Sequence, residues 1–170
     1  NGVKDQLKVN VPALEASIGS PYCVVQSKNG DVYLSSHVHH VILKVEFDKT
    51  EGTWSTVTII AGTGSAGKGN DGALGTESAL SFPTGISLVE SGKSGELTAI
   101  LITDYNNHRI RKLDMKTQLI TTIAGSGFAG FSGDDDQATS ARLEFPDHAY
   151  YDKSSGDILI VDSGNNRIRR

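Results

Sequence analysis

The side chains able to do chemistry gather in a few short stretches. "DYNNHRIRK" (104–112) places Asp104 five residues before Arg109, and "DSGNNRIRR" (162–170) places Asp162 the same distance before Arg167. A carboxylate and a guanidinium at that spacing can pair across the mouth of a hairpin, where the guanidinium also reaches turn carbonyls. Alternatively, such basic residues could face a polyanion. "SSHVHHV" supplies His37, His39 and His40. Strand alternation would put His37 and His39 on one side, and two imidazoles can begin a zinc site. Without a cysteine or carboxylate nearby, they are expected to be surface turn residues. Asp134, Asp135 and Asp136 lie together in a glycine-rich stretch that could suit calcium. The spacing matches no EF-hand loop, so a solvated loop is the expectation. The glycines there are not followed by a helix or by Gly-Lys-Ser/Thr, which argues against a phosphate cradle.

Composition narrows the function classes. The 170 residues carry 16 basic and 20 acidic side chains, a net charge of −4. Six basic residues stand against eight acidic ones up to Gly85, and ten against twelve after it, so each half carries −2. The terminal arginines therefore sit in an acidic context, and nucleic-acid binding is disfavoured. Cys23 is the lone cysteine, which excludes an intrachain disulfide framework. The longest apolar clusters, Ala99–Ile102 and Ile59–Ala61, fall far short of the roughly 20 residues of a membrane span.

Self-comparison reveals the element that positions these groups. Residues 61–83 lie over 124–146 without a gap, and 103–112 lie over 161–170, with Pro21, Pro83 and Pro146 marking a third, fainter copy. Each unit reads as four short strands separated by turns rich in Gly, Ser, Asn and Lys. In the first these are Tyr22–Gln26, Asp31–Ser35, His40–Phe47 and Trp54–Ala61. In the second they are Ile86–Val89, Leu97–Thr103, Arg109–Asp114 and Leu119–Ala124. Asn106 and Asn107 suit the positive φ of a tight hairpin turn. Four antiparallel strands repeated at such a period predict β-propeller blades, with the glycine-rich links carrying the chain to the innermost strand of the next blade.

"DYNNHRIRKLD", "DSGNNRIRR", "IAGTGSAG" and "IAGSGFAGFSGDD" resemble NHL repeats. The resemblance implies an all-β NHL-type propeller of about two and a half to three four-stranded blades, units approximately 13–75, 76–138 and 139–170. One partial propeller domain spans 1–170. Closure takes at least ~4 blades, so further blades in a longer chain are expected, or else self-association to complete the ring. The family includes scaffolds, RNA binders and enzymes. Some NHL-like lyases hold zinc through channel histidines, but here one unit alone supplies a histidine at the inner-strand start. A non-catalytic scaffold for a protein or peptide partner is the expected function, without cofactor or metal. A metal-assisted lyase or hydrolase is the first alternative and RNA binding the second. Tyr22, Thr84, Asp147 and His148, just after the proline markers, are the expected channel-facing binding residues. Cys23 and Gly85 flank them. No exposed aromatic side chains are expected to interleave with the basic residues of these hairpins, where they would stack bases.

In the first unit Ser36 and Val41 replace the Asp and Arg of the later two, so both charges are missing together. That joint loss is what a structural pair predicts. Breaking a buried pair on one side costs ~3–5 kcal/mol, whereas removing both partners costs less than the sum. Urea unfolding of Arg109→Ala, Asp104→Ala and the double variant should therefore give non-additive losses; additive losses would remove the pair.

Overall fold

The run Ala99–Ile102 has no polar face, as expected of a strand covered on both sides. The computed structural model describes residues 6–92 and 94–170 and places that run inside the middle of three antiparallel sheets. The first sheet comprises β1 (Pro21–Gln26), β2 (Val32–Ser36), β3 (Val41–Asp48) and β4 (Thr53–Ala61), paired in sequence order. The second has five strands, β5 (Ala73–Leu74), β6 (Pro83–Ser91), β7 (Glu96–Asp104), β8 (Arg109–Asp114) and β9 (Leu119–Ala124), in the order β5-β9-β8-β7-β6, so that β5 is added to the four of the expected blade. The third holds β10 (His148–Tyr151), β11 (Ile158–Asp162) and β12 (Arg167–Arg169). Each sheet is the expected blade. Among the described residues, helical structure is confined to single 3₁₀ turns.

Period-two alternation distributes the second blade between its neighbours. Ile100 and Ile102 join Ile86, Leu113 and Ile120 against Tyr33, Ile42 and Ala61 of the first blade, with Leu80 between. Leu101 and Ile110 turn the other way, onto Ala149 and Ile160 of the third blade and Leu143. Fully burying one such side chain contributes about 1.5–3 kcal/mol. The far face of the first blade is covered by Leu7, Val9, Ala13, Ala16 and Ile18, which pack on Leu34, Val41, Leu43 and Val57.

The links do more than connect. After β4 the chain runs to β5, which pairs with the outer strand β9, and then crosses to the innermost strand β6. Gly62 and Gly125 begin the two links at φ 91° and 88°. A Cβ on either would lie 2.1 and 2.3 Å from the carbonyl oxygens of His40 and His108 respectively, so only glycine fits.

A histidine fastens each of the first two hairpins to the next blade. The positive φ of the hairpins falls on His40, His108 and Asn166 (55°, 52° and 53°), not on Asn107. The N–H of Phe82 donates to Nδ1 of His40 (3.0 Å), and the N–H of Phe145 donates to Nδ1 of His108 (3.1 Å). The ring pairs pack edge to face, with centroids 4.5 and 4.6 Å apart. Nδ1 must be unprotonated to accept. Burial lowers the pKa of both histidines, reinforced at His40 by His37 and His39 and opposed at His108 by Glu144 and Asp162.

A folded pKa below the unfolded value, ~6.5, means that the unfolded chain binds more protons in acid. This stabilisation is complete above the unfolded pKa and is lost as pH falls below it. Denaturant midpoints should drop between about pH 7.5 and pH 5. The drop should shrink in the His40→Asn/His108→Asn variant, which retains a side chain tolerant of positive φ, as Asn166 is. An undiminished drop in that variant would place the acid sensitivity elsewhere.

Candidate functional site

One end of the blades carries two constructions, a polar clamp beneath the links and, at the mouth where the inner strands begin, an aromatic cluster. In the clamp, Asp104 is fully buried at the end of β7, opposite Arg109 at the start of β8. Its carboxylate accepts from the N–H of Ser81 (2.7 Å) and the amide of Asn107 (2.8 Å). Nη2 of Arg109 stands 3.4 Å away and Nη1 of Arg111 3.7 Å away. Asn107 also donates to the carbonyl of Gly67 (2.7 Å), while Arg109 donates to that of Lys68. Arg111, itself fully buried, reaches Asp71 (3.0 Å). The carbonyls that these side chains hold belong to the link, not to the hairpin turn.

Burial pushes the Asp104 carboxyl up, opposed by the Ser81 N–H, Asn107, Arg109 and Arg111. At Asp71 burial also pushes upward, yet the N–H and hydroxyl of Thr122 together with Arg111 bring the group below its ordinary value.

The third blade repeats the clamp with one difference. Asp162 accepts from the N–H of Glu144 (2.7 Å) and the amide of Asn165 (2.8 Å), but its guanidinium partner is Arg169 (3.2 Å). Arg167, the expected partner, is opposite Asp162 in register, but its guanidinium lies 4.1 Å from the Phe131 ring centroid. Arg167 is exposed at the strand start, whereas Arg169, two residues on and on the same side, is 9% exposed and fits beneath the link. There it also binds Asp134 (2.6 Å) and the carbonyls of Ser132 and Arg142. Asp134 thus occupies the place of Asp71, one repeat earlier. That recurring aspartate, with the second arginine of each Arg-x-Arg, was the sequence signal for these contacts. The aromatic partners of the basic residues come from the link: Phe131 lies under Arg167 and Phe128 under Lys68.

At the mouth, register shifts at Pro21/Val24 and Pro83/Ile86 interrupt the inner strands where Tyr22 and Thr84 stand. The Tyr22 hydroxyl crosses from the first blade to the third and donates to Oδ1 of Asp147 (2.8 Å), a bond that raises the Tyr22 pKa. Tyr22 stacks on His37 (5.3 Å, 28°), which contacts Phe82 (5.1 Å) and Tyr105 (6.4 Å). Tyr105 contacts Phe145 (5.2 Å). With His40 and His108 this makes a continuous arc of seven rings from three blades. Tyr22 is 54% exposed and Phe145 37%.

The expected binding residues occupy different situations. Tyr22 and Asp147 meet at the mouth. Thr84 is 1% exposed and its carbonyl accepts from Ser35 (2.6 Å), so its hydroxyl presents no surface to a partner. His148 is half-buried against Gly85, where a Cβ would lie 2.1 Å from its Nδ1. Burial lowers its pKa, with Asp147 opposing. The three early histidines separate: His37 joins the arc, His39 faces Ser36 (3.1 Å) and His40 holds Phe82. Phe82, Tyr105 and Phe145 are too far apart in the sequence for any local pattern to show their proximity.

No family model matches the chain. Over 100 residues, 59% of its length, it is 35% identical to Protein SUPPRESSOR OF QUENCHING 1, chloroplastic, of Arabidopsis thaliana. Over 92 residues, 54% of its length, it is 28% identical to NHL repeat-containing protein 2 of Bos taurus. It spans 8% and 11% of those two proteins. Among solved structures, an auxiliary nutrient binding protein from Bacteroides thetaiotaomicron VPI-5482 superposes with a TM-score of 0.75 at 28% identity, over 91% of this chain and 37% of that one. A second, from Bacteroides ovatus ATCC 8483, gives 0.70 at 24% identity, over 86% and 36%. The blades described here form part of a β-propeller, built from NHL-like repeats.

Proposed function

We propose that this propeller is a non-catalytic binding scaffold whose channel mouth receives a protein or peptide partner, with Tyr22, Asp147 and His148 beside the opening. The arc of seven rings carries this reading. Aromatic side chains dominate binding hot spots when they are held in place before a partner arrives. Here the Tyr22–Asp147 bond and the two Phe–His bonds hold them. The likeness to an auxiliary nutrient binding protein supports a binding role, although the chain spans 37% of that protein. Arg109, Arg111 and Arg169 are committed to the links, which reduces the basic surface left for RNA.

Peptides selected by display on the immobilised chain should bind it directly. Tyr22→Ala and Tyr105→Ala should weaken them on the order of tenfold or more, with unfolding midpoints close to the parent's. Selected peptides that bind both variants unchanged would move the site off the mouth. Zinc-dependent turnover abolished by His148→Ala would make the propeller an enzyme, and salt-sensitive RNA binding lost in Arg167→Ala would move function to the link face.

A further inference from the structure

The mouth joins a carboxylate to an aromatic ladder. Asp147 is bonded by the Tyr22 hydroxyl, a neutral donor, and among the described residues no ion pair engages it. Nor, among those residues, does a cation stand over the ring of Tyr22, Tyr105 or Phe145; the cation–ring contacts lie at Phe128 and Phe131. Elsewhere the chain fills the same combination with its own arginine. The Arg169 guanidinium lies 5.0 Å from the Phe131 centroid while bonded to Asp134 (2.6 Å) and Asp162 (3.2 Å). An aromatic face beside a carboxylate is thus, in this molecule, an arginine seat.

We propose that the mouth is a second such seat, open to a partner, and that it takes the side chain of an arginine in an extended peptide. The inference rests on the reading of the mouth as a peptide-binding surface and names the chemistry of its partner. The fit is electrostatic and geometric. Ring faces are negative and attract a cation, and a guanidinium is planar, weakly hydrated and able to stack while its fork of N–H donors meets a carboxylate. Oδ1 of Asp147 can keep the Tyr22 hydroxyl, because each carboxylate oxygen offers two acceptor positions. The net charge of −4 favours the approach of a cationic segment. An acidic peptide would meet Asp147 unfavourably, and a neutral one would forgo the carboxylate.

The test is an NMR titration of the ¹⁵N-labelled full chain with the peptide Ac-Gly-Ser-Gly-Arg-Gly-Ser-Gly-NH2 at low salt. Matched peptides carry citrulline or norleucine in place of arginine. The arginine peptide should shift the amide resonances of Tyr22, Tyr105, Phe145 and Asp147 and bind on the order of tenfold more tightly than the citrulline peptide. Asp147→Asn should abolish that preference. Tyr22→Phe, which keeps both the ring and the carboxylate, should retain the preference for the arginine peptide over the citrulline peptide. Equal binding of the citrulline or norleucine peptide would overturn the arginine seat and leave the mouth a peptide surface. Shifts confined to the neighbourhood of Phe128 and Phe131 would overturn its location. No shift with any of the three peptides would overturn both the seat and the peptide-binding reading.

Discussion

A carboxylate buried at the end of the second strand organises each of the later two blades. Left unpaired, Asp104 would carry a desolvation cost of several kcal/mol, and every group that satisfies it belongs to a segment that must be placed correctly. The Ser81 N–H fixes the last residues of the link before the inner strand, Asn107 fixes the hairpin turn, and Arg109 and Arg111 fix the facing strand and the link. Asp162 does the same with Glu144, Asn165 and Arg169. The first blade shows what replaces the charge: Ser36, hydrogen-bonded to His39, and a fully buried Val41.

The mouth follows from the clamp. Ser81 and Glu144 immediately precede Phe82 and Phe145, so holding their N–H groups sets where those rings emerge. Each phenylalanine then takes a positive φ and meets the histidine of the preceding hairpin. The arc of rings is therefore a product of blade-to-blade fastening as well as a surface. This gives it rigidity and couples it to the protonation of His40 and His108.

Much of this was legible in the residues. Strand alternation and the recurring prolines place the four strands of each of the first two blades, and the joint loss at Ser36 and Val41 marks Asp104 and Arg109 as partners. The two-residue strand Ala73–Leu74 was not legible, since two residues carry no period; it exists because β9 offers an open edge. Thr84 read as a channel residue from its position alone, and packing buried it. Asn107 has the residue type for a tight turn, but its amide bridges Asp104 to Gly67, and His108 takes the left-handed backbone.

Periodicity, spacing and repeat offset are properties of residues close in the chain, and they suffice for blade, hairpin and the presence of a carboxylate–guanidinium pair. Which arginine reaches Asp162 depends on the route of a link more than twenty residues upstream, because a buried guanidinium needs carbonyls on both sides and Arg169 is the one beneath them. The meeting of Tyr22 with Asp147 likewise spans 125 residues and two blade interfaces. Contacts of that kind are set by how blades stack around the axis, through shapes and volumes that no local pattern records.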